Sequence, residues 1–370
     1  MNRFEDQAVP GVRRLRPYQP GKPIEELERE LGIHNIIKLA SNENPLGPGA
    51  RVRDVLAAQF EELARYPDGN GFALRQRIAA RHGVDMAQIT LGNGSSDPLE
   101  FVVRALVQPG DEVIFSAHAF AMYPIVTRAA GGTPVVTPAR DWGHDLDAMA
   151  SAVTPRTRVI FIANPNNPTG TWLDASHLRG FLEGLPGHVV AVVDEAYFEY
   201  ASAPAMGLDG YPDATRWLAD FPNLMVTRTF SKAFGLAGLR VGYGLSHPDL
   251  ADLMNRIRPP FNVNSLALAA AAAALDDDAH LAESIAVNVA GMRQLEAGFR
   301  SLGLDYIPSA GNFISVRVAD SALPVYEALL RAGIIVRPVE NYDMPGYLRI
   351  TVGLENENRR CLDALASILA

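Results

Sequence analysis

Apolar residues in this chain come in short unbroken runs, separated by longer stretches with helical spacing. The runs are Ile89–Leu91, Val113–Phe115, Val159–Ile162, Val189–Val193 and Leu224–Thr227. Each is continuously apolar instead of alternating, as expected for strands buried on both faces. The stretches between them, such as Pro98–Val107 and His177–Leu185, are amphipathic and fit helices laid over those strands. From Arg51 to Leu250 the two patterns alternate, which predicts a mostly parallel sheet between helices, an α/β fold.

The ends of the chain read differently. Pro10, Pro17, Pro20 and Pro23 interrupt the opening stretch, which predicts an extended arm followed by a short helix over Ile24–Leu31. Arg258-Pro259-Pro260 breaks the pattern again. An alanine-rich helical span follows, then the short elements Phe313–Val318, Ile334–Pro338 and Leu348–Val352, which predict a smaller α+β domain. The expected division is a large domain over 40–255, with 1–39 and 256–370 forming an N-terminal arm and a small C-terminal domain.

Length and charge narrow the function. At 370 residues the chain exceeds one small core and suits one large domain with a lesser one. The net charge of −9 is spread along the chain, which argues against nucleic acid as a partner but leaves room for a local basic pocket. Cys361 stands alone, so no intramolecular disulfide forms and a reducing compartment is allowed. No arginine-led apolar stretch opens the chain, and the alanine run Ser265–Leu275 is too short to span a bilayer. The expectation is a cytoplasmic protein that needs neither a membrane nor a metal.

In open α/β sheets, ligands bind beyond the carboxyl ends of the strands, so the polar residues that follow each run carry the chemistry. After Leu91 come Gly92-Asn93-Gly94-Ser95-Ser96, then Asp97-Pro98-Leu99-Glu100. Asp97 suits an N-cap, Pro98 the first helical position, and Glu100 a capping box. Glycines before a helix let backbone N–H groups approach an anion, although the loop alone reads better as a plain tight turn. After Ile162, Asn164-Pro165-Asn166-Asn167-Pro168-Thr169-Gly170 sets Asn167 between two prolines that stiffen the loop. After Val193, Asp194-Glu195-Ala196-Tyr197 sets a carboxylate at a strand mouth, where a cation must meet it: a protonated pyridine nitrogen, or a salt-bridge partner within the protein. After Thr227, Lys232 lies in an apolar, glycine-punctuated segment beside the hydroxyls of Thr229 and Ser231. A desolvated lysine near other cations becomes a nucleophile toward carbonyls, and those hydroxyls with Arg240 suit a phosphate. Together the parts match what pyridoxal phosphate requires.

The chain resembles the fold-type-I pyridoxal-phosphate aminotransferases, and within them the histidinol-phosphate aminotransferases. The resemblance rests on Ala40-Ser41-Asn42-Glu43-Asn44-Pro45-Leu46-Gly47, Arg65-Tyr66-Pro67-Asp68, the Asn164–Gly170 loop, Asp194-Glu195-Ala196-Tyr197, Ser231–Arg240 and Arg349-Ile350-Thr351-Val352-Gly353. It implies a seven-stranded large domain and pyridoxal 5'-phosphate as cofactor. Lys232 would form the Schiff base and shuttle the proton, Asp194 would pair with the ring nitrogen, and Asn167 and Tyr197 would bind the phenolic oxygen. Tyr123 would stack on the ring. Gly94, Ser95, Ser96, Thr229, Ser231 and Arg240 would hold the phosphate, and Tyr66 would reach the cofactor of a second subunit in a homodimer. Arg349, with Arg337, Tyr18 and Asn44, would bind substrate: a phosphorylated amino alcohol and, in turn, a 2-oxo acid in ping-pong order.

Three rival readings stay open. An aromatic amino-acid aminotransferase shares these motifs. So does a related decarboxylase such as the cobalamin-pathway threonine-phosphate enzyme. A non-catalytic effector-binding domain on the same fold is the third.

Overall fold

The computed structural model describes residues 3–13, 15–18 and 20–370. Seven strands form the large sheet: β1 (Ile89–Gly92), β2 (Glu112–Ser116), β3 (Thr133–Thr137), β4 (Thr157–Ala163), β5 (Val190–Asp194), β6 (Leu224–Thr229) and β7 (Gly242–Ser246). Their order is β1-β7-β6-β5-β4-β2-β3. Neighbours are parallel except for β7, which runs antiparallel to both β6 and β1. The five runs read as strands are all present. The two strands that the hydrophobic pattern did not reveal have physical reasons to be quiet. β3 is a partly exposed edge strand that tolerates Pro134. β7 carries Gly242 and Gly244 because a Cβ at Gly242 would lie 2.5 Å from the Ser95 nitrogen, and one at Gly244 would lie 2.7 Å from Met225.

Side-chain alternation explains why the other strands read as unbroken apolar runs. In β4, Val159, Phe161 and Ala163 belong to one buried cluster, while Ile160 and Ile162 belong to the other. Both faces are covered by helices, so both sets must be apolar. The same period of two separates the polar residues at the strand mouths. Asp194 shares its face with Val192 and Thr227 with Met225, while Glu195 and Arg228 emerge on the opposite face. There Glu195 is completely buried and Arg228 Nη2 lies 2.7 Å from its Oε2 and 2.6 Å from Asp213. The salt-bridge alternative for this acidic pair thus applies to Glu195 and not to Asp194.

Helix α1 spans Ile24–Leu31 as expected, and the arm before it includes helical turns at Glu5–Gln7 and Pro10–Arg13 in place of a wholly extended chain. Helix α2 (Ser96–Leu106) begins earlier than the capping signals suggest. Ser95 is its N-cap, and Asp97 lies inside the first turn, where Oδ2 accepts from the Asn93 N–H at 2.9 Å and from Asn262 Nδ2 at 3.0 Å. The expected Asp97 cap and Glu100 capping box are therefore replaced by a carboxylate that folds back over the glycine loop. Glu100 instead faces Arg104, one turn on. Helix α3 (Met122–Ala129) follows β2 and helps cover the same face of the sheet.

A four-stranded antiparallel sheet forms the second layer system: β8 (Tyr306–Ile307), β9 (Phe313–Arg317), β10 (Arg337–Pro338) and β11 (Tyr347–Thr351), in the order β8-β9-β11-β10. It shares a core with Met292, Leu295 and Phe299 and with Cys361 and Leu365, which lie on the long helices Asp278–Ser301 and Glu355–Leu369. The alanine helix Ser265–Leu275 packs into the core of the large sheet, although it follows the Arg258-Pro259-Pro260 break. Upstream, Ile37–Lys38 pairs in parallel with Ile334–Ile335 as a separate two-stranded sheet. Among the described residues no helix is long and apolar enough to cross a membrane.

Candidate active site

An open cavity of about 610 Å³ lies beyond the carboxyl ends of β1, β4, β5 and β6, bounded by Ser95, Ser96, Phe120, Ala163, Pro165, Asn167, Asp194, Ala196, Tyr197, Thr229, Ser231, Lys232 and Arg240. Its size suits a small cofactor. Five loops that are far apart in sequence converge here because a parallel sheet delivers all its strand mouths to one edge.

Asp194 is 5% exposed and has no cation at salt-bridge distance among the described residues. Its Oδ1 accepts from Thr227 Oγ1 at 2.8 Å and its Oδ2 from the Tyr123 hydroxyl at 2.9 Å. Burial pushes its pKa up, against those two hydrogen bonds. A buried carboxylate held by two neutral donors is costly unless a cation joins it. Tyr123 is therefore not a stacking ring over the cavity. It is fully buried behind Asp194, stacked on Phe161 at 4.4 Å, because it sits on the inner face of α3. Phe120, on the loop before that helix, is the aromatic that borders the cavity.

Lys232 is partly exposed, to the cavity, and its Nζ donates to the Ser41 carbonyl at 3.1 Å. Burial, then the nearby Arg349 guanidinium, bring its pKa down from 10.5 to about 7. The chain has only three lysines, Lys22, Lys38 and Lys232. Lys22 pairs with Glu26 and Glu30, and Lys38 with Glu43, while Lys232 has no carboxylate at salt-bridge distance among the described residues. That scarcity was a signal available in the sequence.

A neutral amine is the form that attacks a carbonyl. Capture of an aldehyde by the cofactor-free protein should therefore level off above about pH 7 and slow by about tenfold per unit below it. Stopped-flow absorbance against pH reads this; a midpoint near 10.5, the ordinary lysine value, would show an amine that burial does not perturb.

The phosphate-type residues form a separate corner. Ser95 and Ser96 open α2, and the Ser95 side chain makes no capping hydrogen bond. Thr229 Oγ1 donates to Ser231 Oγ at 3.0 Å, and Arg240 Nη1 donates to the same oxygen at 3.2 Å. Arg240 has no carboxylate partner at salt-bridge distance among the described residues, and Gly94 leaves it room: a Cβ there would lie 2.4 Å from Nη2. A helix N-terminus, four hydroxyls and a guanidinium without a carboxylate partner among the described residues make an anion site.

Arg349, 7% exposed on β11, donates to Asn167 Oδ1 at 2.5 Å and to the Ala40 carbonyl at 2.7 Å. Its Nε is buried with no partner among the described residues, and burial lowers its pKa. Arg337 is 9% exposed, with its guanidinium 5.8 Å from the half-exposed Tyr18 ring. One expected residue lies elsewhere. Asn44 is spent on structure, because its Nδ2 donates to the Ala233 carbonyl and Ser284 Oγ, and its Oδ1 accepts from the Leu46 N–H. Tyr66 is 82% exposed, stacked on Phe261 at 4.7 Å, and lies outside its own chain's cavity. Both Asn-Pro bonds beside Asn167, Asn164–Pro165 and Asn167–Pro168, are cis.

A family model, Aminotransferase class I and II, matches residues 34–365. The chain belongs to this family. It is 60% identical to histidinol-phosphate aminotransferase 2 of Pseudomonas fluorescens Pf-5, over 98% of this chain and 97% of the relative. It is 56% identical to histidinol-phosphate aminotransferase 1 of Nitrosococcus oceani, over 99% of this chain and 98% of that one. The crystal structure of a histidinol-phosphate aminotransferase from Sinorhizobium meliloti in complex with pyridoxal-5'-phosphate superimposes with a TM-score of 0.88 at 29% identity, covering 98% of this chain and 97% of that one. This aminotransferase accordingly uses pyridoxal phosphate and has the fold-type-I architecture. Its cavity fits the cofactor by three independent features: an amine of lowered pKa, a buried carboxylate that lacks a cation, and a hydroxyl-lined anion corner.

Proposed function

We propose that the chain transfers the amino group of L-histidinol phosphate to 2-oxoglutarate, a step of histidine biosynthesis, in the cytoplasm. The observation that carries the reading is Arg349: a buried guanidinium whose neighbours are an amide and a carbonyl, beside the amine that does the chemistry. Such a group is costly until an anion meets it. A substrate phosphate and a 2-oxo acid carboxylate can occupy it in turn, which suits ping-pong order, with Arg337 and Tyr18 at the same end of the site. The names of the relatives, at 52–60% identity, favour the phosphorylated amino alcohol.

When bound, the cofactor supplies an electron sink for the substrate's reacting carbon. The protein's own part follows from the groups described. Lys232 holds the cofactor and then moves the proton at the reacting carbon. Asp194 keeps the ring nitrogen charged, and Asn167 and Tyr197 hold the phenolic oxygen. Ser95, Ser96, Thr229, Ser231 and Arg240 anchor the phosphate, and Arg349 orients the substrate. Tyr66, exposed on its own subunit, would complete the phosphate site of a second copy in a homodimer.

Arg349→Lys keeps the charge but loses the planar fork. The loss expected is about 1.5–3 kcal/mol, or roughly ten- to a hundred-fold in kcat/KM. Initial rates with L-histidinol phosphate, phenylalanine and tyrosine, each with 2-oxoglutarate, test the substrate. A strong preference for histidinol phosphate is expected. Preference for phenylalanine would instead assign an aromatic aminotransferase, and carbon dioxide release without any 2-oxo acid would assign a decarboxylase.

A further inference from the structure

The strap that crosses from Lys38 to Asn44 touches two basic residues of the site through its backbone: Ala40 O accepts from Arg349 and Ser41 O from Lys232. Its next residue, Asn42, is 1% exposed and left-handed, with φ 55°. Asparagine accepts that conformation more readily than most residues. Its backbone N–H donates to Thr351 Oγ1 at 2.9 Å. Its carbonyl accepts from Asn312 Nδ2 at 3.0 Å. The strap is thereby tied to β11 and to the loop before β9.

The side chain of Asn42 settles a proton. Thr351 Oγ1 accepts from the Asn42 N–H and donates its own hydrogen to Asn42 Oδ1, 3.2 Å away. The other end of the amide is then the NH2 group, which faces the Tyr197 hydroxyl at 2.8 Å. An amide nitrogen only donates. Tyr197 Oη must therefore accept from Asn42, and its hydrogen is left for the cavity that Tyr197 lines. We propose that Asn42, its amide fixed by Thr351, is a positioning residue that makes Tyr197 a hydrogen-bond donor toward the cofactor's phenolic oxygen. The inference rests on the assignment of Tyr197 to that oxygen. Tyr197 is suited to the task because burial, the largest influence on it, raises its pKa to about 12 and keeps the proton on.

A donor on the phenolic oxygen stabilises its anion, so the adjoining Lys232 nitrogen gives up its proton at lower pH. Asn42→Asp is close in shape and tolerates the left-handed backbone, but it presents only acceptors to Tyr197. The tyrosine hydrogen then turns to the new carboxylate. The midpoint of the visible absorbance of the Lys232-linked cofactor should rise by about one to two pH units. A carboxylate also acts through space, so the same change is made in a Tyr197→Phe background. If Asn42 works through Tyr197, Asn42→Asp shifts the midpoint less there, by the through-space part alone.

Thr351→Val removes the hydroxyl that fixes the amide without adding charge. It should move the midpoint in the same direction, and Thr351→Ser should restore it. This pair carries the test if Asn42→Asp does not fold. An unmoved midpoint in Asn42→Asp, an equal shift in the Tyr197→Phe background, or Thr351→Val titrating like the parent overturns the proposal. If the parent titrates normally and Tyr197→Phe leaves the midpoint unchanged, the error lies in the assignment of Tyr197 itself.

Discussion

Lys232→Ala is expected to abolish turnover, with kcat lower by at least about 10⁴-fold. A positioned acid–base group alone contributes about 10²–10⁴, and the proposed function gives this lysine the covalent hold on the cofactor as well. No second amine can substitute, because Lys22 and Lys38 are committed to glutamate partners. The fold should not suffer. The Lys232 amine makes one hydrogen bond, to Ser41 O, and burial disfavours its charged form. A folded-state pKa near 7 against 10.5 when unfolded means that the unfolded chain binds the extra proton between those values. The lysine therefore costs stability at and below neutral pH, and the cofactor-free variant should melt at the same temperature or higher. Single-turnover kinetics and calorimetry check both parts. Activity within about tenfold of the parent would place the nucleophile elsewhere.

Asp194→Ala carries the second largest effect. The carboxylate lies at the mouth of β5 with Thr227 and Tyr123 as its donors and no cation at salt-bridge distance among the described residues. With a protonated ring nitrogen in place, it becomes one half of a buried, hydrogen-bonded charge pair. Truncating such a partner costs about 2–5 kcal/mol, or roughly 1.5 to 3.5 powers of ten. The loss should appear in cofactor affinity, read by equilibrium dialysis, and in kcat. Asp194→Asn separates charge from shape. It can keep contacts with Thr227 and Tyr123, so losses approaching those of the alanine variant identify the charge as what matters. Full activity in Asp194→Asn would mean that the ring nitrogen needs no anion here.

Much of this site was legible because strand mouths announce themselves. The runs ending at Leu91, Ile162, Val193 and Thr227 are apolar on both faces, and Ser95, Asn167, Asp194 and Thr229, which border the cavity, each follow one of them within five residues. What sequence reading missed depends on side-chain direction and distant contacts. Phe120 and Tyr123 lie three positions apart, and only the packing of α3 against Phe161 shows which one meets the cavity. Asn42 and Asn44 alternate in one short motif, yet the left-handed turn at Asn42 sends its amide to Tyr197 and leaves Asn44 among Ala233 and Ser284. The capping signals at Asp97 and Glu100 failed for a local reason: the carboxylate had a better use closing the glycine loop. The strand Gly242–Ser246 was silent because close approach to Ser95 requires glycine there, which erases the β-type composition.

The most direct test of the account is to load the protein with pyridoxal phosphate, reduce it with borohydride, and map the modified peptide by mass spectrometry. With only three lysines in the chain, the result is unambiguous. One pyridoxyl phosphate group per chain is expected, on Lys232. Modification of Lys22 or Lys38 instead, or no fixed cofactor at all, would contradict it.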